Sequence, residues 1–226
     1  MKLTVAGNPA APAEYESRQL VSDLFHQLSQ PLTTLCCALE LALLQTPTRE
    51  EYGKVVNDAL RQAEKASALA TAIHELLDAG HAGENCEVLN LGRAVEDAVG
   101  DLLPVAESAG VKMACIPQPA CPVWFDARRL RQGLFHLLGF LISAGVEGSI
   151  VQIALKARAA EPELGLTVSG AGISNGTSAI APDEELWQRL GLGISRSIFE
   201  RAGGTFGVEH GPGSLTVRLR FLRKAR

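Results

Sequence analysis

The stretch Phe25–Leu32, which reads FHQLSQPL, sets a histidine and a proline inside one long amphipathic helix pattern. Leucines recur around it every three or four residues, at Leu24, Leu28, Leu32, Leu35, Leu39 and Leu43. This spacing predicts a helix with one apolar stripe. At about 100° per residue, His26 lies roughly 200° from the nearest leucines, on the opposite side. Pro31 has no amide hydrogen for the carbonyl of Gln27, so we expect an exposed histidine beside a bend.

The composition is that of an ordinary globular protein. The 226 residues are 46% hydrophobic and 20% charged, with a formal net charge of −4, which suits one large or two small domains and gives no electrostatic case for nucleic acid. The five cysteines show neither metal-ligand nor disulfide spacing, which predicts free thiols and no metal site. No apolar run reaches the roughly 18 residues of a membrane span, and no signal peptide is recognisable. We therefore expect a cytoplasmic protein that does not bind a membrane.

The N-terminal part of the chain predicts a leader and a pair of helices. Residues 1–16 are rich in proline, glycine and alanine and predict a flexible leader. Residues 17–80 predict two long helices joined by a short loop, and Thr48 and Glu51 have the spacing of a capping box at the start of the second helix. An isolated antiparallel hairpin leaves part of its apolar surface uncovered. We therefore expect a homodimer that forms a four-helix bundle.

Residues 81–226 predict a second domain, an α/β sandwich. Helices are expected at about 91–109, 127–144 and 186–202, and strands at about 111–116, 150–155, 164–168, 205–210 and 214–222. Asp126 has the position of an N-cap for the second of these helices, and the prolines from Pro117 to Pro122 predict a loop. The whole chain is thus predicted to be an α+β protein, a helical hairpin followed by a mixed sheet with helices on one face.

The order of these elements and several motifs resemble the two-domain core of sensor histidine kinases, over about residues 17–222. The H-box of that family often reads His-Glu-Leu-x-Gln-Pro-Leu, and here it reads HQLSQPL from His26 to Leu32. Two further matches are Leu130–Gln132 and Leu192–Ile198 followed by Gly203 and Gly204. The resemblance implies a dimerisation and phosphotransfer hairpin with His26 as the phosphoacceptor. It also implies an ATP-binding domain of the Bergerat type after the hairpin.

Positions that serve magnesium and adenine in this family carry other residue types here. His136 and Phe140 stand where the family has two asparagines, which serve magnesium and phosphate. A phenyl ring cannot ligate a cation that demands oxygen ligands, and we interpret His136 as a core or groove histidine rather than a metal ligand. Val168 stands where an aspartate accepts from the adenine amino group. An adenine amino group that finds no acceptor there costs about 1–3 kcal/mol of binding free energy.

The two glycine boxes are also altered. Gly170 and Gly172 follow Val168, whereas Arg189 replaces the first glycine of the second box, ahead of Gly191. We interpret these glycines as turns inherited from the fold. Phosphoryl transfer from ATP depends on positioning and charge neutralisation, so we predict a degenerate ATP site and no cofactor.

The leading hypothesis is a two-component signalling protein that relays phosphoryl groups between receiver aspartates of response regulators through His26. In this it is similar to the dimeric histidine phosphotransferases that derive from histidine kinases. A neutral imidazole is a competent nucleophile toward an aspartyl phosphate. Gln30 is a candidate to orient water or the phosphoryl group, and Gln27 replaces an acidic residue of the family and can only hydrogen-bond. The expected partners are a second copy, receiver domains and a sensor kinase.

Two other readings stay open. One is an autophosphorylating histidine kinase with an atypical site for ATP and magnesium. The other is a non-catalytic pseudokinase regulator that binds a kinase or a response regulator, in which case His26 is a surface histidine with no chemical role.

Overall fold

The computed structural model describes residues 11–45, 48–79, 81, 83, 85–116, 119–157, 161–170 and 182–221, with the backbone alone for 11–20 and 182–185. The chain divides into two compact units, Met1–Glu75 and Leu76–Arg226. The boundary lies at residue 75, before the predicted one at residue 80. The last turn of the second helix therefore belongs to the C-terminal unit, where Leu76 and Ala79 are buried.

The first unit contains two long helices, α1 (Ala11–Leu44) and α2 (Arg49–Ala79). The last turn of α2 lies in the second unit. The predicted leader is wrong for residues 11–16, which are helical, and residues 1–10 lie outside the described part of the chain. Pro12 does not prevent this early start, because the first turn of a helix leaves its amides unpaired anyway. The helix α1 also continues through Pro31. The bend there and the packing of the hairpin into a four-helix bundle stay predictions.

The start of α2 is fixed by the predicted capping box. The backbone N–H of Thr48 donates to Oε2 of Glu51 at 2.8 Å, and the N–H of Glu51 donates to Oγ1 of Thr48 at 3.3 Å. The backbone bond from Thr48, followed by the bond from its hydroxyl, lowers the pKa of the Glu51 carboxyl. These reciprocal bonds satisfy amides that the first turn leaves unpaired, so the prediction is confirmed.

The second unit alternates helices and strands largely in the predicted order. Its elements are β1 (Cys86–Asn90), α3 (Leu91–Ser108), β2 (Lys112–Cys115), β3 (Pro122–Asp126), α4 (Ala127–Ala144), β4 (Ile150–Lys156), β5 (Glu163–Ser169), α5 (Pro182–Arg201), β6 (Thr205–Gly211) and β7 (Ser214–Arg220). The strands β1 and β3 pair as a separate antiparallel sheet, which the sequence did not predict. In β3, Val123 and Phe125 are buried on one side, and Pro122 is tolerated as the first residue of an edge strand.

The main sheet has five strands in the order β2-β4-β5-β7-β6. The strands β2 and β4 are parallel and all other neighbours are antiparallel, which confirms the mixed sheet. Along β4, buried and exposed residues alternate, because one face is covered and the other is open. The helices α3, α4 and α5 each contact strands of the unit. Phe125, Phe199 and Phe221 form a cluster with ring centroids 5.7–6.1 Å apart, which joins the small sheet to α5.

Asp126 caps α4, as its position in the sequence predicts. Its carboxylate accepts from the backbone N–H groups of Arg128 at 3.0 Å, Arg129 at 3.2 Å and Asn85 at 3.1 Å. Burial works to raise the pKa of Asp126, but these three bonds and the charge of Arg129 outweigh it, and the pKa is lowered. The ionised form therefore stabilises the fold.

We expect Asp126→Ala to lower the free energy of unfolding by about 1–2 kcal/mol near neutral pH, because α4 loses its cap. The pKa of Asp126 is lower in the folded than in the unfolded chain. The stabilisation is therefore fully present above the unfolded value and is lost as pH falls through the folded value. Urea unfolding near pH 7 and near pH 3 measures this. The variant Asp126→Asn keeps a capping oxygen at every pH, and a deficit in the alanine variant that does not shrink in acid contradicts the assignment.

Candidate functional site

His26 lies on an exposed face of α1, as the leucine periodicity predicts. Gln30, also exposed, follows one turn later, and Gln27 is half-buried. At about 100° per residue, Gln30 lies roughly 40° around the helix from His26, so the two side chains share a face. The roles predicted for all three residues stay predictions.

A carboxylate near His26 was missed in the sequence. Asp23 is half-buried and lies three residues before His26 on α1. Residues three apart are neighbours on a helix surface, so the spacing itself was the signal. The spacing puts a carboxylate on the same side of α1 as His26.

Hydroxyl groups flank Pro31 and bond within their own helix. Ser29 Oγ donates to the Phe25 carbonyl at 2.9 Å, and Thr33 Oγ1 donates to the Ser29 carbonyl at 2.8 Å. Thr34 Oγ1 donates to the carbonyl of Gln30 at 3.0 Å. Bonds of this kind compete with the backbone ladder and often bend helices. They leave the side-chain amide of Gln30 available at the surface beside His26.

The predicted apolar stripe of α1 divides into two faces. Leu24, Pro31 and Ala42 are buried, whereas Leu32, Leu39 and Leu43 are exposed. The exposed seam, as we call it, has the residues Phe25, Ser29, Leu32, Cys36, Leu39 and Leu43. Their spacing of four, three, four, three and four is a heptad pattern, which is typical of a helix that packs against another helix. An apolar stripe of this width can pack against two neighbouring elements, and the exposed seam is the part of it that remains accessible to solvent.

The nucleotide positions of the family carry apolar groups here. His136 and Phe140 are half-buried one turn apart on α4, and the His136 ring meets the ring of Phe135 edge-on at 6.1 Å. Val168 is 0% exposed and pairs with Val151 and Leu215 on neighbouring strands of the sheet. The side chains of Phe140 and Val168 therefore offer no atom that accepts a hydrogen bond or ligates a hard cation.

The glycines of the two boxes lie in different kinds of local structure. Gly170 N–H donates to the Gly213 carbonyl at 3.1 Å, at the end of β5, while Gly172 lies outside the described residues. Gly191 lies in the interior of α5, which runs unbroken from Pro182 to Arg201. The expectation that Gly191 preserves a turn is therefore wrong. Its backbone N–H belongs to the helix ladder, and the free amides of α5 lie in the first turn, well before it.

Gly191 instead permits a close approach between α4 and α5. A Cβ atom at Gly191 would lie 3.2 Å from the carbonyl oxygen of His136, and one at Gly133 would lie 3.0 Å from the ring of Phe199. Ser195 is fully buried in the same contact, with Oγ 2.8 Å from the Gly191 carbonyl and 3.0 Å from the Gly133 carbonyl. Because side chains larger than hydrogen would force the helices apart, these glycines serve packing.

Two further observations limit the chemistry of the site. Across the described ranges, no cluster of three or more His, Cys, Asp or Glu side chains has the arrangement of a metal site. No helix in those ranges combines the length and the apolar character needed to cross a membrane.

Comparison with known proteins relates the chain to histidine kinases. It is 26% identical over 213 residues to the sensor protein IrlS of Burkholderia pseudomallei, across 86% of this chain and 44% of IrlS. It is 26% identical over 227 residues to the sensor protein DivL of Caulobacter vibrioides, across 95% of this chain and 29% of DivL. The chain thus spans less than half the length of these curated relatives. No protein-family model matches it.

Solved structures give the same fold. The histidine kinase AdeS of Acinetobacter baumannii matches with a TM-score of 0.63 at 20% identity, over 88% of this chain and 98% of that one. The histidine kinase ThkA, solved in complex with the response regulator protein TrrA, matches with a TM-score of 0.66 at 16% identity, over 96% of this chain and 68% of that one. The chain therefore shares its fold with histidine kinase structures, and the curated proteins that it resembles are sensor proteins.

Proposed function

We propose that this protein relays phosphoryl groups through His26 to and from the receiver aspartates of response regulators. The observation that carries the proposal is a contrast within one histidine-kinase-like core. The histidine of the H-box is exposed on α1, while the positions that serve a nucleotide in the family hold Phe140, the buried Val168 and a glycine inside α5. This contrast, seen within the described residues, supports a phosphoacceptor histidine that is served by another protein rather than by ATP.

The proposed chemistry needs only the imidazole of this chain. A ring nitrogen of His26 attacks the phosphorus of an aspartyl phosphate on the receiver, the aspartate carboxylate leaves, and the phosphohistidine forms. The imidazole proton passes to solvent or to the departing carboxylate. The amides of Gln27 and Gln30 can hydrogen-bond the phosphoryl oxygens but cannot take up the proton. The receiver supplies the divalent cation and the acidic site. The reverse attack, by a second receiver aspartate on the phosphohistidine, completes the relay.

We propose that the functional unit is a homodimer in which two hairpins form a four-helix bundle. The exposed seam on α1 supports this, because Phe25, Leu32, Leu39 and Leu43 expose apolar surface in a heptad pattern. The helix α2 exposes Tyr52, Val56 and Leu60 as well. The pairing of two copies buries both sets, and His26, about 100° away from the middle of the seam, stays at the surface of such a bundle.

Two rival functions make different demands. The similarity to sensor kinases favours an ATP-dependent kinase with an atypical site, which must bind ATP and magnesium at residues other than Phe140 and Val168. A non-catalytic regulator binds its partner without phosphohistidine.

We expect His26→Ala to abolish the transfer of label from a phosphorylated receiver domain to this protein, because the nucleophile is lost. The measurement is the appearance of acid-labile label on the chain after mixing with a radiolabelled receiver. His74→Ala removes another exposed histidine, on α2, and should leave the transfer unchanged. Label retained by the His26 variant, or absent from the unchanged protein with every receiver of the host, contradicts the relay.

Calorimetric titration with ATP, with and without magnesium, separates the relay from the kinase. We expect no saturable heat at millimolar nucleotide, since Phe140 cannot ligate magnesium and Val168 cannot accept from adenine. Micromolar, magnesium-dependent binding followed by label on His26 from labelled ATP establishes the kinase instead.

The homodimer can be tested with the cysteines of α1. Cys36 belongs to the exposed seam, whereas Cys37 points about 100° away from it. In a bundle whose two-fold axis runs along the helices, the two copies of a seam residue lie at the same level. We therefore expect a short bis-maleimide to cross-link a variant that keeps only Cys36 into dimers. A variant that keeps only Cys37 is the matched control, and equal cross-linking of the two contradicts the predicted interface.

A further inference from the structure

We propose that the segment between α2 and β1 is clamped at two points, Asp78 and Asn85, onto the first turn of α4, and that the two attachments open together. The segment runs from Asp78, in the last turn of α2, to Asn85, just before β1. All of it lies in the C-terminal unit, which begins at Leu76.

The first attachment is an ion pair between Asp78 and Arg129. Arg129 Nη1 lies 3.0 Å from Oδ2 of Asp78, and the Arg129 side chain is only 13% exposed. The same Nη1 also donates to Oε1 of Gln132 at 3.3 Å, which holds the guanidinium along α4. A guanidinium this buried needs its partner, because an unpaired buried charge is costly. The last turn of α2 is further anchored by Ala79, which is fully buried.

The second attachment is made by the cap of α4. Asp126 Oδ2 accepts from the backbone N–H of Asn85 at 3.1 Å, while Oδ1 caps α4. Gly83 lies directly against the same side chain, since a Cβ atom at Gly83 would come within 2.6 Å of the Asp126 Cβ. Only glycine allows this approach, so the sequence of the segment is fitted to the clamp.

A polar cleft of about 530 Å³ lies between the two attachments. Its lining includes His81, Glu87 and Arg128 as well as the clamping groups. The two attachments are joined by only the few residues between Asp78 and Asn85. Release of one end should therefore loosen the other.

Amide hydrogen exchange of the full chain tests the clamp. In Asp78→Asn we expect exchange at the Asn85 amide, seven residues away and held by a different side chain, to be about threefold to tenfold faster, because local opening of the segment becomes easier. Gly83→Ala should have the same effect without any change of charge. Amides in the middle of α4 should not change in either variant, which shows that the unit remains folded.

Asp101→Asn is the matched control. Asp101 forms an exposed ion pair at 2.8 Å with Arg131, two residues after Arg129 on α4, and its loss should leave exchange at Asn85 unchanged. Unchanged exchange at Asn85 in both Asp78→Asn and Gly83→Ala overturns the clamp, and so does equal acceleration in Asp101→Asn. Exchange is measured without phosphate or partner, so this result is independent of whether His26 accepts label.

Discussion

The close approach of α4 to α5 is the constraint on which the second unit depends. Gly133 and Gly191 remove the side chains that would hold the two helices apart, and the buried hydroxyl of Ser195 reaches the carbonyls of both glycines. A buried hydroxyl is tolerated where it has a partner, and here the backbone carbonyls of both helices supply one. The same contact keeps Gly191 within a continuous α5. A residue that a sequence motif assigns to phosphate is thereby committed to packing.

The surface of the helix α1 has three distinct sides. One side is buried, at Leu24, Pro31 and Ala42. The exposed seam forms a second side, and His26 with Gln30 forms the third. A helix with 3.6 residues per turn can separate such faces by 80–120°, so a histidine can remain accessible while a neighbouring face packs against another helix. The proposed transfer between proteins depends on this separation of the faces, because it leaves His26 accessible.

Local chemistry made some features predictable from the sequence. Thr48 with Glu51 and Asp126 are caps whose partners in the helix they begin lie within three residues. Features that depend on distant partners were not predictable. The strand β3 follows a proline-rich segment and forms only because β1 pairs with it. The leucine spacing of α1 gave the helix but not the division into buried and exposed sides, because that depends on what each side meets.

The relay proposed above uses no ATP, so nothing in it drives transfer in one direction. Phosphohistidine and aspartyl phosphate both transfer phosphoryl groups readily, so the direction follows from how much of each receiver is phosphorylated and how tightly each form binds. Specificity must then lie in docking surfaces, since the imidazole of His26 does not distinguish one receiver aspartate from another. This places the selective burden on residues around His26 and on the second unit. Docking of the receiver is thus the task that the proposal gives to the second unit.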